Sequence, residues 1–257
     1  MSTIIAVTNQ KGGVGKTTTS GALLAALGLR GARVLGVDLD PQGSLGFCMG
    51  LDIDKCATIF DVMQGKTVVT DAIASTECGD IIPSNILLSS AELAFTESGR
   101  EFLLKNVLAE VSDFYDVIVI DTPPALNILT VNAYVASDSL IIPMAPEILS
   151  LLGVTQIRDT IETVRRHYNP DLKVLGVLLN KFNSRYNLNQ EVLEMTNQIA
   201  LQLRSKVFHA KIRASVSVAE APAHGESVLT YAPRSKPSED FQALVDEILG
   251  DKFPRRA

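Results

Sequence analysis

Eight residues near the start of the chain, Lys11-Gly12-Gly13-Val14-Gly15-Lys16-Thr17-Thr18, combine three glycines, two lysines and two hydroxyls directly after the apolar run Ile4-Ile5-Ala6-Val7. A phosphate cradle needs that combination. Glycines let backbone N–H groups turn inward around phosphate oxygens with no Cβ in the way. Thr17 to Leu29 shows helical spacing and stops at Gly31, so the N-terminal amides and the positive end of a helix dipole would face the same charge. Lys16 would reach β- and γ-phosphates, and the Thr17 hydroxyl would ligate Mg²⁺. Against the general pattern G-x-x-x-x-G-K-[ST], position 10 is Gln10 rather than glycine, and Lys11 adds a second cation at the loop mouth.

Three carboxylates complete the chemistry. Asp38 and Asp40 follow Val34-Leu35-Gly36-Val37, and on a continuing strand they would point to the same side. Asp121 ends Asp116-Val117-Ile118-Val119-Ile120. Acids at strand ends beside a phosphate loop suit a magnesium nucleotide, holding the ion's waters and positioning an attacking water. A lone aspartate there would as readily be a helix cap.

The positioning elements are short, continuously apolar strands, including Ser139–Ile142 and Val174–Leu179, alternating with helical patterns at 100–111, 148–167, 188–203 and 239–249. That alternation predicts an α/β fold, a doubly wound, mostly parallel sheet with helices on both faces. Residues 47–90 are the least regular, with short helices and a strand near Ile81-Ile82. With no long linker and no repeat, residues 1–257 are expected to form one domain.

The 46% apolar content can fill a large core and excludes a disordered chain. Three unevenly spaced cysteines, Cys48, Cys56 and Cys78, fit a reducing cytosol and small buried hydrophobes. No stretch is apolar enough to span a bilayer, no secretory leader is expected, and a cytoplasmic location follows. His167, His209 and His224 lack metal-ligand spacing. The net charge of −6 is uneven: residues 158–213 carry ten basic and five acidic side chains, whereas residues 1–157 carry eight and seventeen. The basic segment is either a footprint for a polyanion or charge scattered over solvated faces.

The run from Asn9 to Thr19 resembles the deviant Walker A motif of the ParA/MinD ATPases, nearest the ParA/Soj partition branch. Val37-Asp38-Leu39-Asp40-Pro41-Gln42-Gly43, Asp121-Thr122-Pro123-Pro124 and Ala219-Glu220-Ala221-Pro222 continue the likeness over almost the whole chain. The N-terminal helix-turn-helix domain of longer plasmid members has no room here, so a short form is expected.

The resemblance implies a P-loop ATPase using ATP and Mg²⁺. Lys11, Gly12, Gly13, Val14, Gly15, Lys16, Thr17 and Thr18 would hold the nucleotide. Lys11, Lys16 and Asp40 would serve hydrolysis, Lys11 by reaching a partner subunit's phosphates and Asp40 by orienting water. Thr17, Asp38 and Asp121 would serve the metal, Asp38 indirectly. Asn180 corresponds to an adenine contact and Arg213 to a segment packed on the base, although relatives commonly read Pro-Arg-Asn where this chain has Arg213-Ala214-Ser215.

The same likeness implies an ATP-dependent homodimer that binds nonspecific double-stranded DNA on the nucleoid and is released by a ParB-like activator. Arg185 matches a DNA-contacting arginine, while Ser217 stands where a second is expected. Lys181 and Lys211 are the leading substitutes, with Arg204, Lys206 and Arg213 behind them. A MinD-like membrane switch is the alternative, but helix 239–249 is acidic and would be repelled by anionic lipid. An iron–sulfur relative would need interface cysteines that this spacing does not offer, and a small-molecule kinase would need an acceptor pocket that the sequence does not reveal.

Overall fold

A computed structural model describes residues 2–146, 154–182, 188–250 and 252–253. Among them runs β1 (Thr3–Val7), α1 (Lys16–Leu29), β2 (Val34–Asp38), α2 (Ser44–Cys48), α3 (Ile59–Met63), β3 (Ala74–Thr76) and β4 (Gly79–Ile82). Next come α4 (Ala91–Ala94), α5 (Leu103–Ala109), β5 (Val117–Asp121), α6 (Ile128–Ala136), β6 (Ser139–Met144) and α7 (Val154–His167). The chain continues through β7 (Lys173–Leu179), α8 (Leu188–Gln202), α9 (Val216–Glu220), α10 (Val228–Tyr231) and α11 (Lys236–Leu249).

The strands form one sheet in the order β3-β4-β2-β5-β1-β6-β7, parallel except for the β3–β4 hairpin at the edge. Because the strands are buried on both faces, their apolar runs divide by parity. Ala6, Leu35, Val37, Ile118, Ile120, Leu140 and Ile142 pack under α3, α5, α6, α7 and α8. Ile5, Val7, Val34, Val117, Val119 and Ile141 pack under α1, α2, α10 and α11. This is the doubly wound α/β arrangement expected from the strand and helix pattern. The central strand β5 pairs in register with β2, setting Asp38 beside Asp121.

Several elements differ from their sequence patterns. The 100–111 pattern opens with a 3₁₀ turn at Arg100–Phe102, and α5 starts at Leu103, where the buried side-chain Oδ1 of Asn132 accepts the Leu104 N–H at 3.0 Å. The last helix starts at Lys236 rather than 239, where Ser235 caps it and Pro237 fits its first turn. Residues 148–153 of the 148–167 pattern lie outside the described residues.

The α11 helix is a core element. Phe241, Leu244 and Val245 are buried beneath it, and its outer length is tied to the end of α1 by Arg30. That buried guanidinium donates to Gln242 Oε1 and O, donates to the Phe253 carbonyl, and pairs with Asp246 at 2.9 Å.

In β7, Gly176 lies under the Phe208 ring, where an added Cβ would sit 2.6 Å from ring carbon. Phe208 is itself buried and cannot step aside. Gly176→Ala is expected to cost about 1–3 kcal/mol by overpacking, lowering the melting temperature by roughly 2–4 °C per kcal/mol; a thermal melt with no loss would show that the ring relaxes freely.

Candidate functional site

At the carboxyl end of β1 the chain leaves the sheet between its neighbours β5 and β6 and enters α1 through the glycine-rich loop. In open parallel sheets this is where ligands sit. Gly13 (φ +74°) and Gly15 (φ +90°) occupy the left-handed region. At Gly12 and Gly13 an added Cβ would meet nothing within 4 Å, so both stand beside open space. No side chain caps α1, which leaves its first amides for an anion.

Lys16 is 7% exposed, and its Nζ donates to the Lys11 carbonyl at 3.2 Å. Burial lowers its pKa, opposed by the charges of Asp121 and Asp40. A desolvated ammonium held on a neutral carbonyl is poised to exchange that partner for a phosphate oxygen. Thr17 Oγ1 donates to Asp121 Oδ2 at 2.7 Å, and Ser20 Oγ donates to Asp121 Oδ1 at 2.9 Å. Ser20 went unread in the sequence, although it lies three residues after Thr17 and so faces the same way on a helix.

Asp38 and Asp40 do not share a strand face as expected. The strand ends at Asp38, whose Oδ1 and Oδ2 accept the N–H groups of Asp40 and Leu45, each at 2.9 Å. Asp38 therefore shapes the turn, and the half-buried Asp40 projects from it with one oxygen accepting the Gln42 N–H at 3.0 Å. Among the described residues no three His, Cys, Asp or Glu side chains form a ready-made metal cage. The Thr17–Asp121 pair instead fits Mg²⁺, which keeps most of its waters and takes few protein ligands.

A cavity of about 620 Å³ opens beside the loop, walled by Met49, Val218, Ala221, Val228 and Phe241. Asn180 lies at its head, 4% exposed, with Nδ2 donating to Val14 O at 2.9 Å and Thr19 Oγ1 at 3.2 Å. Its Oδ1 is buried with no partner, an acceptor that an exocyclic amine would satisfy. Arg213 lines the same cavity, but its guanidinium is occupied: Nε and Nη2 grip Asp240 at 2.8 and 2.6 Å. Its backbone N–H is taken as well, donating to Asp240 Oδ2 at 3.0 Å. That clamp by Asp240, 27 residues on, had no local signal in the sequence.

The basic segment is partly self-neutralised. Arg158 pairs with Asp159, Arg165 with Glu162, Lys206 with Glu247 and Arg213 with Asp240. Lys181, in the left-handed region at φ +55°, is exposed on the cavity lip. Lys211 stands 4.9 Å over the Phe182 ring beside it. Among the described residues neither lysine is paired with a carboxylate. Arg185 lies outside the described residues.

A glycine loop between a central parallel strand and a helix, with a hydroxyl tied to a strand-end carboxylate, defines the P-loop nucleoside triphosphatase class. Comparison with known proteins narrows it. A family model described as "AAA domain" matches residues 2–174. The chain is 42% identical to the sporulation initiation inhibitor protein Soj of Bacillus subtilis, over 98% of this chain and 100% of that protein. It is 36% identical to the chromosome partitioning protein ParA of Myxococcus xanthus, over 98% and 91% of the two chains. Among solved structures, cobyrinic acid a,c-diamide synthase from Mycobacterium smegmatis with bound ATP analogue and magnesium superposes with a TM-score of 0.82 at 35% identity, covering 100% of both chains. The chain belongs to the ParA/Soj family of ParA/MinD-type P-loop ATPases.

Burial pushes the Asp121 carboxyl up from 3.8 to about 6, and Asp38 is also raised, by burial and then by Asp121 beside it. In nucleotide-free, metal-free protein the folded state thus holds protons that the unfolded chain releases, and stability falls as pH rises through that interval. Asp121→Asn should raise the melting temperature in EDTA at pH 7.5, with the gain shrinking toward pH 4; an equal gain at both pH values would contradict the burial argument.

Proposed function

We propose that the site binds and hydrolyses Mg-ATP between two copies of this chain, and that the paired form binds DNA without regard to sequence until a ParB-like activator triggers hydrolysis. The carrying observation is the outer rim of the loop. Gly12 and Gly13 are exposed, Lys16 is turned inward, and a second lysine, Lys11, stands at that open edge. A triphosphate there is reachable by a second surface, and a cation delivered to it would stabilise the charge developing on the transferred phosphoryl group. Residues 1–257 act in this reading as a single ATPase unit.

Within each subunit, the loop amides and Lys16 hold the β- and γ-phosphates, while Asp121 orients the Thr17 hydroxyl. Thr17, with Asp121 behind it, would hold Mg²⁺, which would supply charge neutralisation of the phosphates. Asp40, held on the turn that Asp38 fixes, directs a water at the γ-phosphorus. Attack forms the new P–O bond as the bond to the β–γ bridging oxygen breaks, leaving ADP and phosphate. Asn180 Oδ1 accepts from the adenine amine.

The unpaired lysines Lys181 and Lys211, with Arg185, supply the DNA-facing charge. Such contacts are to backbone phosphate and weaken steeply with salt. Nucleoid association follows from that binding. No helix among the described residues is long and apolar enough to cross a membrane. The apolar side of α11 is spent in the core, which favours DNA over a MinD-like lipid surface as the target.

A mobility shift on nonspecific duplex with ATP, ADP or no nucleotide is expected to show binding with ATP alone. It should survive in Asp40→Ala, and each of Lys181→Glu, Arg185→Glu and Lys211→Glu should weaken it and flatten its salt dependence by about one phosphate contact. Equal binding in all three nucleotide states would defeat the switch.

A further inference from the structure

The β1–β6 ladder ends in an unusual way. The Thr8 N–H donates to the Ile141 carbonyl at 3.0 Å, and in a parallel ladder the next bond would run from the N–H of residue 10 to the carbonyl of residue 143. The backbone has already left the sheet at that point. The side chain of Asn9 takes over, its Nδ2 donating to the Pro143 carbonyl at 2.7 Å. Its Oδ1 accepts the Lys11 N–H at 3.0 Å, and the Lys11 carbonyl in turn accepts Lys16 Nζ at 3.2 Å. Asn9 is 2% exposed, and both ends of its amide are engaged within the chain.

From this geometry we infer that Asn9 is a positioning residue for the loop-mouth lysine: it completes the sheet where the backbone cannot, and fixes the main chain of Lys11 and with it the point from which that side chain leaves the loop. The inference rests on the reading that Lys11 acts across a subunit interface. An amide suits the position because it must donate to one carbonyl and accept from one N–H at once. Aspartate would keep only the acceptor, and alanine would keep neither. Without Asn9 the main chain of Lys11 would lose its tie to the end of β6, while the glycine cradle, Thr17 and Asn180 would still hold a nucleotide.

The test is a cycle of Asn9→Ala, Lys11→Ala and the double variant in the full chain. ADP affinity by calorimetry reports the pocket, dimerisation by sedimentation with AMPPNP and Mg²⁺ reports the interface, and steady-state ATP hydrolysis gives kcat and KM. Asn9→Ala is expected to keep ADP affinity within about threefold while dimerisation and kcat fall roughly tenfold or more. Because Asn9 acts through Lys11, the double variant should be no worse than Lys11→Ala, the non-additivity expected of coupled residues. Losses that add, or an ADP affinity that falls as far as kcat, would assign Asn9 a purely structural role and overturn the inference. A silent Lys11→Ala would overturn the cross-subunit reading itself, and the inference with it. Should Asn9→Ala fail to fold, Asn9→Asp, which retains the acceptor for the Lys11 N–H, is judged by the same cycle.

Discussion

Two carboxylates buried side by side at the ends of adjacent strands are the constraint around which the site is organised. Asp38 and Asp121 are both inaccessible to solvent and paired in register. Burying such groups is tolerable only when they are hydrogen-bonded or neutralised. Asp121 meets the demand with two hydroxyls of α1, which ties the helix to the sheet and aims Thr17. Asp38 meets it with two backbone amides, which folds the chain after β2 into the turn that carries Asp40. Lys16 lies near enough to ease the burden and is itself desolvated. Two buried carboxylates beside a desolvated lysine suit a metal with a polyphosphate as ligand.

Much of this was legible in the sequence because its causes are local. A glycine must stand wherever φ is positive or phosphate approaches backbone, and strands buried on both faces must be apolar throughout, so the loop, five strands and the carboxylate positions could be read directly. In the irregular stretch 47–90 the strand near Ile81-Ile82 was read and is β4, whereas its antiparallel partner β3, the three polar-rich residues Ala74–Thr76, was missed. The turn between Asp38 and Asp40 was missed because a strand ending depends on which amides need an acceptor, and Leu45 is seven residues away.

Charge was the least legible property. A count over residues 158–213 suggests a basic face, yet four of those cations are spent on carboxylates, two of them on α11. Pairing partners 27 and 41 residues apart in sequence leave no periodic trace. The structure identifies cations engaged within the protein, and among the described residues it pairs neither Lys181 nor Lys211, both at the cavity lip or beside it, with a carboxylate.

The α11 helix has a wider consequence. It is fastened to the far end of α1 through Arg30 and to the rim of the base pocket through Asp240. A helix gripped at both ends behaves as a rigid strut. It joins the end of α1 to the segment around Arg213 by a route outside the sheet, so two parts of the chain nearly two hundred residues apart share one brace.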